Sequence, residues 1–233
     1  MRTVWLSGNS GAGKTFTGDY LARVCGFFHV EGDAAAFSTD PADRALFGEF
    51  VKAFEFWFKS APAPPTLWQP YFDRQIAAVR AAHAAGHADV VVSLTVYHRE
   101  VRDYLRAALP THDFILLRCD ADELVRRARV RFQKYAEVCG QTFEACFETQ
   151  NKEPYTDAAF DAATRRIMHG LQPLEPDEVR THELDVTSGA PWGALHALLG
   201  LPPPPEVIPL DEIAETNYAR FRAPPPQEPA VSQ

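Results

Sequence analysis

The chain is poor in cysteine, short of positive charge and without any long apolar run. Its four cysteines (Cys25, Cys119, Cys139 and Cys146) form no CxxC pair and no metal-ligand spacing. This favours buried thiols in a reducing compartment over disulfides or a metal site. No stretch approaches the roughly 18 apolar residues of a membrane span. "TVWLS", directly after Met1 and Arg2, is too short for a secretory signal core. Lys and Arg number 23 against 31 Asp and Glu, a formal net charge of -8. That balance argues against a general binder of nucleic acid or anionic membranes and leaves room for a small, locally basic anion pocket. The expectation is a cytoplasmic protein with neither a nucleic-acid nor a membrane partner.

What is present is an ordinary globular composition, 46% hydrophobic and 23% charged in 233 residues, enough for one α/β domain with appendages. Five short apolar runs read as strands: "TVWLS" from Thr3, "FFHVEGD" from Phe27, "DVVVSL" from Asp89, "DFILLRCD" from Asp113 and "THELDVT" from Thr181. The third is β-branched and does not alternate, as in a parallel sheet covered on both faces. Helical patterns separate them: Lys14 to Gly26, Pro41 to Ser60, Thr66 to Gly86, His98 to Leu109, Ala121 to Tyr135 and Pro191 to Gly200. The alternation predicts a three-layer α/β/α sandwich with a doubly wound, mostly parallel five-stranded sheet. The domain is expected over 1–200, with a helical lid or insertion at about 133–170. A proline-rich tail would follow over 201–233, bracketed by Pro202 to Pro205 and Pro224 to Pro226. One short helix is expected there near Asp211 to Phe221, with disorder as the default.

"SGNSGAGKT" carries the first chemistry. Gly8, Gly13, Lys14 and Thr15 fit G-x-x-x-x-G-K-[ST], with Asn9, Ser10, Gly11 and Ala12 inside the loop. A phosphate cradle needs inward-turned backbone N–H groups, which favours residues without Cβ crowding. A strand precedes the loop and a helix follows it, the context this pattern requires. Lys14 is expected to reach the β- and γ-phosphates of ATP, and the Thr15 hydroxyl to hold Mg²⁺.

The chain has no guanine-reading NKxD, since Asn151-Lys152-Glu153-Pro154 lacks the aspartate, and no DxxG after a second strand. "VVVSLT" does not end in the carboxylate a motor ATPase would place there. The second strand supplies carboxylates instead, Glu31 and Asp33, at the sheet edge where open α/β folds bind ligands. Asp33 is the candidate to take a proton from an acceptor hydroxyl, and Glu31 to hold Mg²⁺ through water. The competing reading makes Asp33 a turn or helix cap.

"GNSGAGKT", "VEGD" and "VVVSLTVYHREVRDYLR", in that order, resemble the gluconate kinase branch of the shikimate kinase-like P-loop kinases. The last segment is similar to the family's "ACSALKRxYRDxLR" at Ser93, Leu94, Arg99, Arg102, Asp103, Leu105 and Arg106. It departs at His98 and Val101, and position 31 is Glu rather than Asp. The likeness runs from Thr3 to Arg131 and again from Leu184 to Leu199. It implies an ATP-dependent kinase acting on a hydroxyl of a small, gluconate-like anionic acceptor. Arg99, Arg102 and His98 would then lie near that acceptor.

Two guanidiniums one turn apart suit a carboxylate or phosphate, although pairing of Arg99 with Asp103 would explain one of them. The resemblance also implies lid arginines. Arg129 and Arg131 are the candidates, since Arg126 and Arg127 have Asp122 and Glu123 as helix partners; Arg165 and Arg166 are an alternative. The aromatic set Phe54, Phe56, Trp57 and Phe58 is assigned to the core or to an interface, so a homodimer stays open. Competing functions are a nucleoside monophosphate kinase and a nucleotide-binding regulatory protein without turnover.

Overall fold

The computed structural model describes residues 1–219. Five parallel strands form one sheet: β1 (Arg2–Gly8), β2 (Phe28–Glu31), β3 (Asp89–Ser93), β4 (Asp113–Arg118) and β5 (Thr181–Asp185). Their order is β2-β3-β1-β4-β5. Side chains alternate across the sheet as strand geometry requires. Trp5, Val90, Val92, Phe114 and Leu116 enter one core, and Val4, Leu6, Val91, Ile115 and Leu117 the other. This explains the unbroken apolar runs: both faces are covered.

Over the first face lie α2 (Pro41–Lys52), α3 (Phe54–Trp57), α4 (Pro65–Ala84) and α5 (Arg99–Ala108). The single helix expected from Pro41 to Ser60 is interrupted at Ala53, where α2 ends and α3 begins. The second face carries α1 (Lys14–Cys25) and α9 (Trp192–Leu198). The expected three-layer α/β/α sandwich is therefore present, and its sheet is parallel throughout.

A helical lid comprises α6 (Ala121–Val138), α7 (Phe143–Asn151) and α8 (Asp157–His169). Phe143, Phe147 and Phe160 form a small core of their own, against Phe132 of α6 and Tyr155.

The C-terminal segment is not free where it is described. Leu201, Ile208 and Ile213 pack into the second core, with Ile213 fully buried. Helix α10 (Leu210–Ala219) lies along α1, and Arg23 pairs with Glu212. Phe221 and Pro224 to Pro226 lie outside the described residues.

Candidate active site

Strands β1, β2 and β3 all end at one edge of the sheet, and a cleft of about 850 Å³ opens there. Its floor is the loop between β1 and α1. Gly8, Gly11 and Gly13 take φ of 144°, 90° and 87°, conformations that a Cβ disfavours. At Gly8 the restriction is also spatial, because a Cβ would stand 2.5 Å from the carbonyl oxygen of Leu117. Thr95 just past β3 donates from Oγ1 to the Gly8 carbonyl (2.9 Å), and the Val96 N–H donates to Ser7 Oγ (2.8 Å). The loop is thus fastened to the neighbouring strand.

Lys14 opens α1 and is only 8% exposed. Its Nζ donates to the carbonyls of Gly8 (3.0 Å) and Asn9 (3.1 Å). Burial drives its pKa down to about 8; Asp33 and Glu31 pull it back up, and Arg131 opposes them. A desolvated ammonium held by carbonyl oxygens is an electrostatic demand for an anion. The buried Asn9 Oδ1 has no hydrogen-bond partner. Arg131, from α6, donates from Nη2 to Ser10 Oγ (2.8 Å) and so brings a second cation to the loop. Thr15 lines the cleft beside them.

Glu31 and Asp33 also line the cleft. Between them Gly32 is pressed against the exit of β3, where a Cβ would lie 2.4 Å from Leu94 Cβ and 2.7 Å from Ser93 O. Burial raises the Asp33 pKa and Lys14 lowers it, Glu31 adding to the rise. The Asp33 N–H donates to Glu31 Oε1 (3.2 Å).

Behind Glu31 runs a buried polar chain that sequence reasoning missed. Asp19 Oδ1 lies 2.9 Å from His29 Nδ1, and His29 Nε2 lies 2.8 Å from Ser93 Oγ. Ser93 Oγ in turn donates to Glu31 Oε2 (3.2 Å). The ring of His29 fills the space beside Gly18 of α1, where a Cβ would meet Nε2 at 2.3 Å. That mid-helix glycine was the one available signal.

The arginines expected at the acceptor do not line the cleft. Arg99 turns outward, with Nη1 and Nη2 on Asp177 (2.9 and 2.6 Å) and Nε 3.4 Å from Asp103. Arg102 is 1% exposed and holds Glu178 with two bonds (2.8 and 2.7 Å), while Nη2 donates to the Pro173 carbonyl (2.9 Å). Both guanidiniums therefore tie the segment before β5 to α5. His98 meets Gln172 at 2.7 Å, and burial lowers its pKa against the pull of Glu100.

Arg129 is also engaged elsewhere. It donates to Asp161 (2.9 Å), pairs with Asp157 and lies over the Phe160 ring at 4.8 Å, holding the lid together. The α6 arginines that do line the cleft are Arg126, Arg127 and Arg131. The first two pair with Glu123, and Arg165 pairs with Asp122.

No family model matches the chain, and no curated protein sequence matches it. Among solved structures it is similar to a gluconokinase from Sinorhizobium meliloti 1021, at 20% identity and a TM-score of 0.45, covering 94% of this chain and 90% of that one. It is similar also to a sugar kinase from Janibacter sp. HTCC2649, at 20% identity and a TM-score of 0.46, covering 95% and 94%. The parallel β2-β3-β1-β4-β5 sheet carries, between its central strand and α1, the strand–GxxxxGK[ST]–helix arrangement of a P-loop. Which chemistry this chain performs has to come from its own residues. Among the described residues no helix is long and apolar enough to cross a membrane.

Proposed function

We propose that this protein transfers the γ-phosphoryl group of ATP to a hydroxyl of a small molecule. The observation that carries the reading is Lys14: a buried ammonium that, among the described residues, donates to the carbonyls of Gly8 and Asn9 and to no carboxylate, at the head of a helix and beneath a loop of positive-φ glycines. A nucleoside triphosphate supplies the anion this arrangement lacks.

The residues present also fit a divalent cation, since Thr15 and Glu31, with a hydroxyl and a carboxylate, both line the cleft. Mg²⁺ held there would neutralise charge on the phosphates. Lys14 and Arg131 bind and orient the triphosphate from the loop side, with Arg126 and Arg127 lining the α6 side. Asp33 accepts the proton of the acceptor hydroxyl as its oxygen bonds to the γ-phosphorus. The bond from that phosphorus to the β–γ bridging oxygen breaks, and ADP leaves with the electron pair. Closure of the lid excludes water, which would otherwise compete as acceptor. Most of the rate enhancement would come from positioning and charge neutralisation.

Calorimetric titration with Mg·ATP tests the carrying observation. Lys14→Met should weaken binding roughly 10- to 100-fold, the loss expected for charge-assisted hydrogen bonds. Unchanged affinity would remove the basis of the assignment.

A further inference from the structure

The opposite wall of the cleft bears on the acceptor. It is built from Ala34 and Ala36 of the 3₁₀ turn after Asp33, Phe47 and Phe50 of α2, Phe54 of α3, and Tyr97 after β3. None of the six carries a charge, and Tyr97 alone has a side chain that can hydrogen-bond.

The wall is preformed. Phe50 stacks on Tyr71, with centroids 4.4 Å apart and planes 5° from parallel. Phe54 meets Phe50 edge-on at 5.1 Å and Tyr97 at 5.3 Å. The Tyr71 hydroxyl donates to the Gly32 carbonyl, which fixes this aromatic group to the segment carrying Asp33.

Among the described residues, the cations lining the cleft come from Lys14 and from α6. Arg126 and Arg127 are already paired with Glu123, and a bound triphosphate draws on Lys14 and Arg131. Among the described residues these cations are shared between Glu123 and a bound triphosphate, and an anionic acceptor would also face Glu31 and Asp33. A sugar acid would lose the hydration of its carboxylate against rings and alanine methyls, and a polyol would leave hydroxyls unpaired there. A ring on the acceptor instead gains apolar burial and offset or edge-on contacts.

We propose that the acceptor is an uncharged alcohol bearing an aromatic or similarly flat apolar group, rather than a sugar acid or polyol. This rests on the phosphoryl-transfer reading above and names its substrate class.

The test uses the full chain with Mg·ATP and four probes: 2-phenylethanol, 3-phenylpropane-1,2-diol, D-gluconate and xylitol. Acceptor-dependent ADP release should give the phenyl alcohols a kcat/KM at least about tenfold above the other two. Phe47 is half-buried, so Phe47→Ala should fold, as a thermal melt would show. It should raise the KM of the phenyl alcohols about tenfold and leave the KM for ATP where it was. If it does not fold, Phe47→Leu keeps the apolar contact and removes the ring.

Equal or faster phosphorylation of gluconate or xylitol would overturn the aromatic acceptor and leave the kinase standing. If no probe is phosphorylated, calorimetry with 2-phenylethanol and a non-hydrolysable ATP analogue separates the failures. Binding that is lost in Phe47→Ala would support the apolar site and overturn the kinase, and absence of binding would overturn both.

Discussion

Arg102 and Arg99 sit one turn apart on α5, yet their surroundings assign them different weights. Arg102 and Glu178 are both buried, and each satisfies the other with two hydrogen bonds. Removing Arg102 takes two charge-assisted hydrogen bonds from the buried Glu178, which keeps Arg106 and the Glu175 N–H. Arg102→Ala should therefore cost about 3 kcal/mol of stability by denaturant titration, the lower end for a broken buried pair. Arg99→Ala removes an ion pair on the surface and should leave the midpoint nearly unchanged. A loss of acceptor binding in a well-folded Arg99→Ala protein would restore the anion-binding role that the sequence suggested.

Glu178 adds a pH dependence. Burial would raise its pKa, but hydrogen bonds from Arg102, the Glu175 N–H and Arg106 outweigh it and hold the carboxyl at about 2. A depressed carboxylate contributes stability above its unfolded value and loses it as pH falls through the folded one. Stability should thus decline from about pH 4.5 to pH 2, and Glu178→Gln, already destabilised at neutral pH, should show a shallower decline. Identical slopes in acid would contradict this assignment.

At the scale of elements, α1 is set by a contact its own propensity opposes. Gly18 costs a helix interior up to about 1 kcal/mol relative to alanine. Alanine there would collide with His29, whose ring is held on one side by Asp19 and on the other by Ser93. The ring cannot swing aside without breaking both bonds. Overpacking and lost hydrogen bonds together should outweigh the propensity gain, so Gly18→Ala should destabilise by about 1–3 kcal/mol. Pairing it with His29→Ala in a double-mutant cycle should recover part of that loss; strict additivity would mean the collision is not the cause. The same geometry couples α1 to β2 and β3 and, through Ser93, orients Glu31 at the cleft.

At the scale of the whole molecule, the parts legible in the sequence were those encoded locally. Five strands, their helices, the glycine loop with Lys14 and Thr15, and the Glu31–Asp33 strand end all follow from short patterns. The structure brings these last residues together around one cleft. Arg99 and Arg102 read as acceptor ligands because their partners, Asp177 and Glu178, stand more than 70 residues away in a segment without periodicity. The aromatic wall was hidden because Phe47 and Phe50 of α2, Phe54 of α3 and Tyr97 after β3 are gathered from separate elements, whereas the conspicuous Phe56 is 37% exposed. The C-terminal segment read as a tail because its anchors, Leu201, Ile208 and Ile213, are too sparse to give a helical pattern. Once docked, α10 brings Ala214 to the rim of the same cleft.

The central claim is that Asp33 and Lys14 serve one phosphoryl-transfer site. Its most direct test follows transfer itself, by mass spectrometry of the acceptor after incubation with Mg·ATP and the four alcohols named above. The wild type should add one phosphoryl group to an acceptor. Asp33→Asn should bind Mg·ATP normally and slow transfer by about 10²- to 10⁴-fold, the range for loss of a general base. Transfer at the wild-type rate in Asp33→Asn, or none to any acceptor by the wild type, would contradict it.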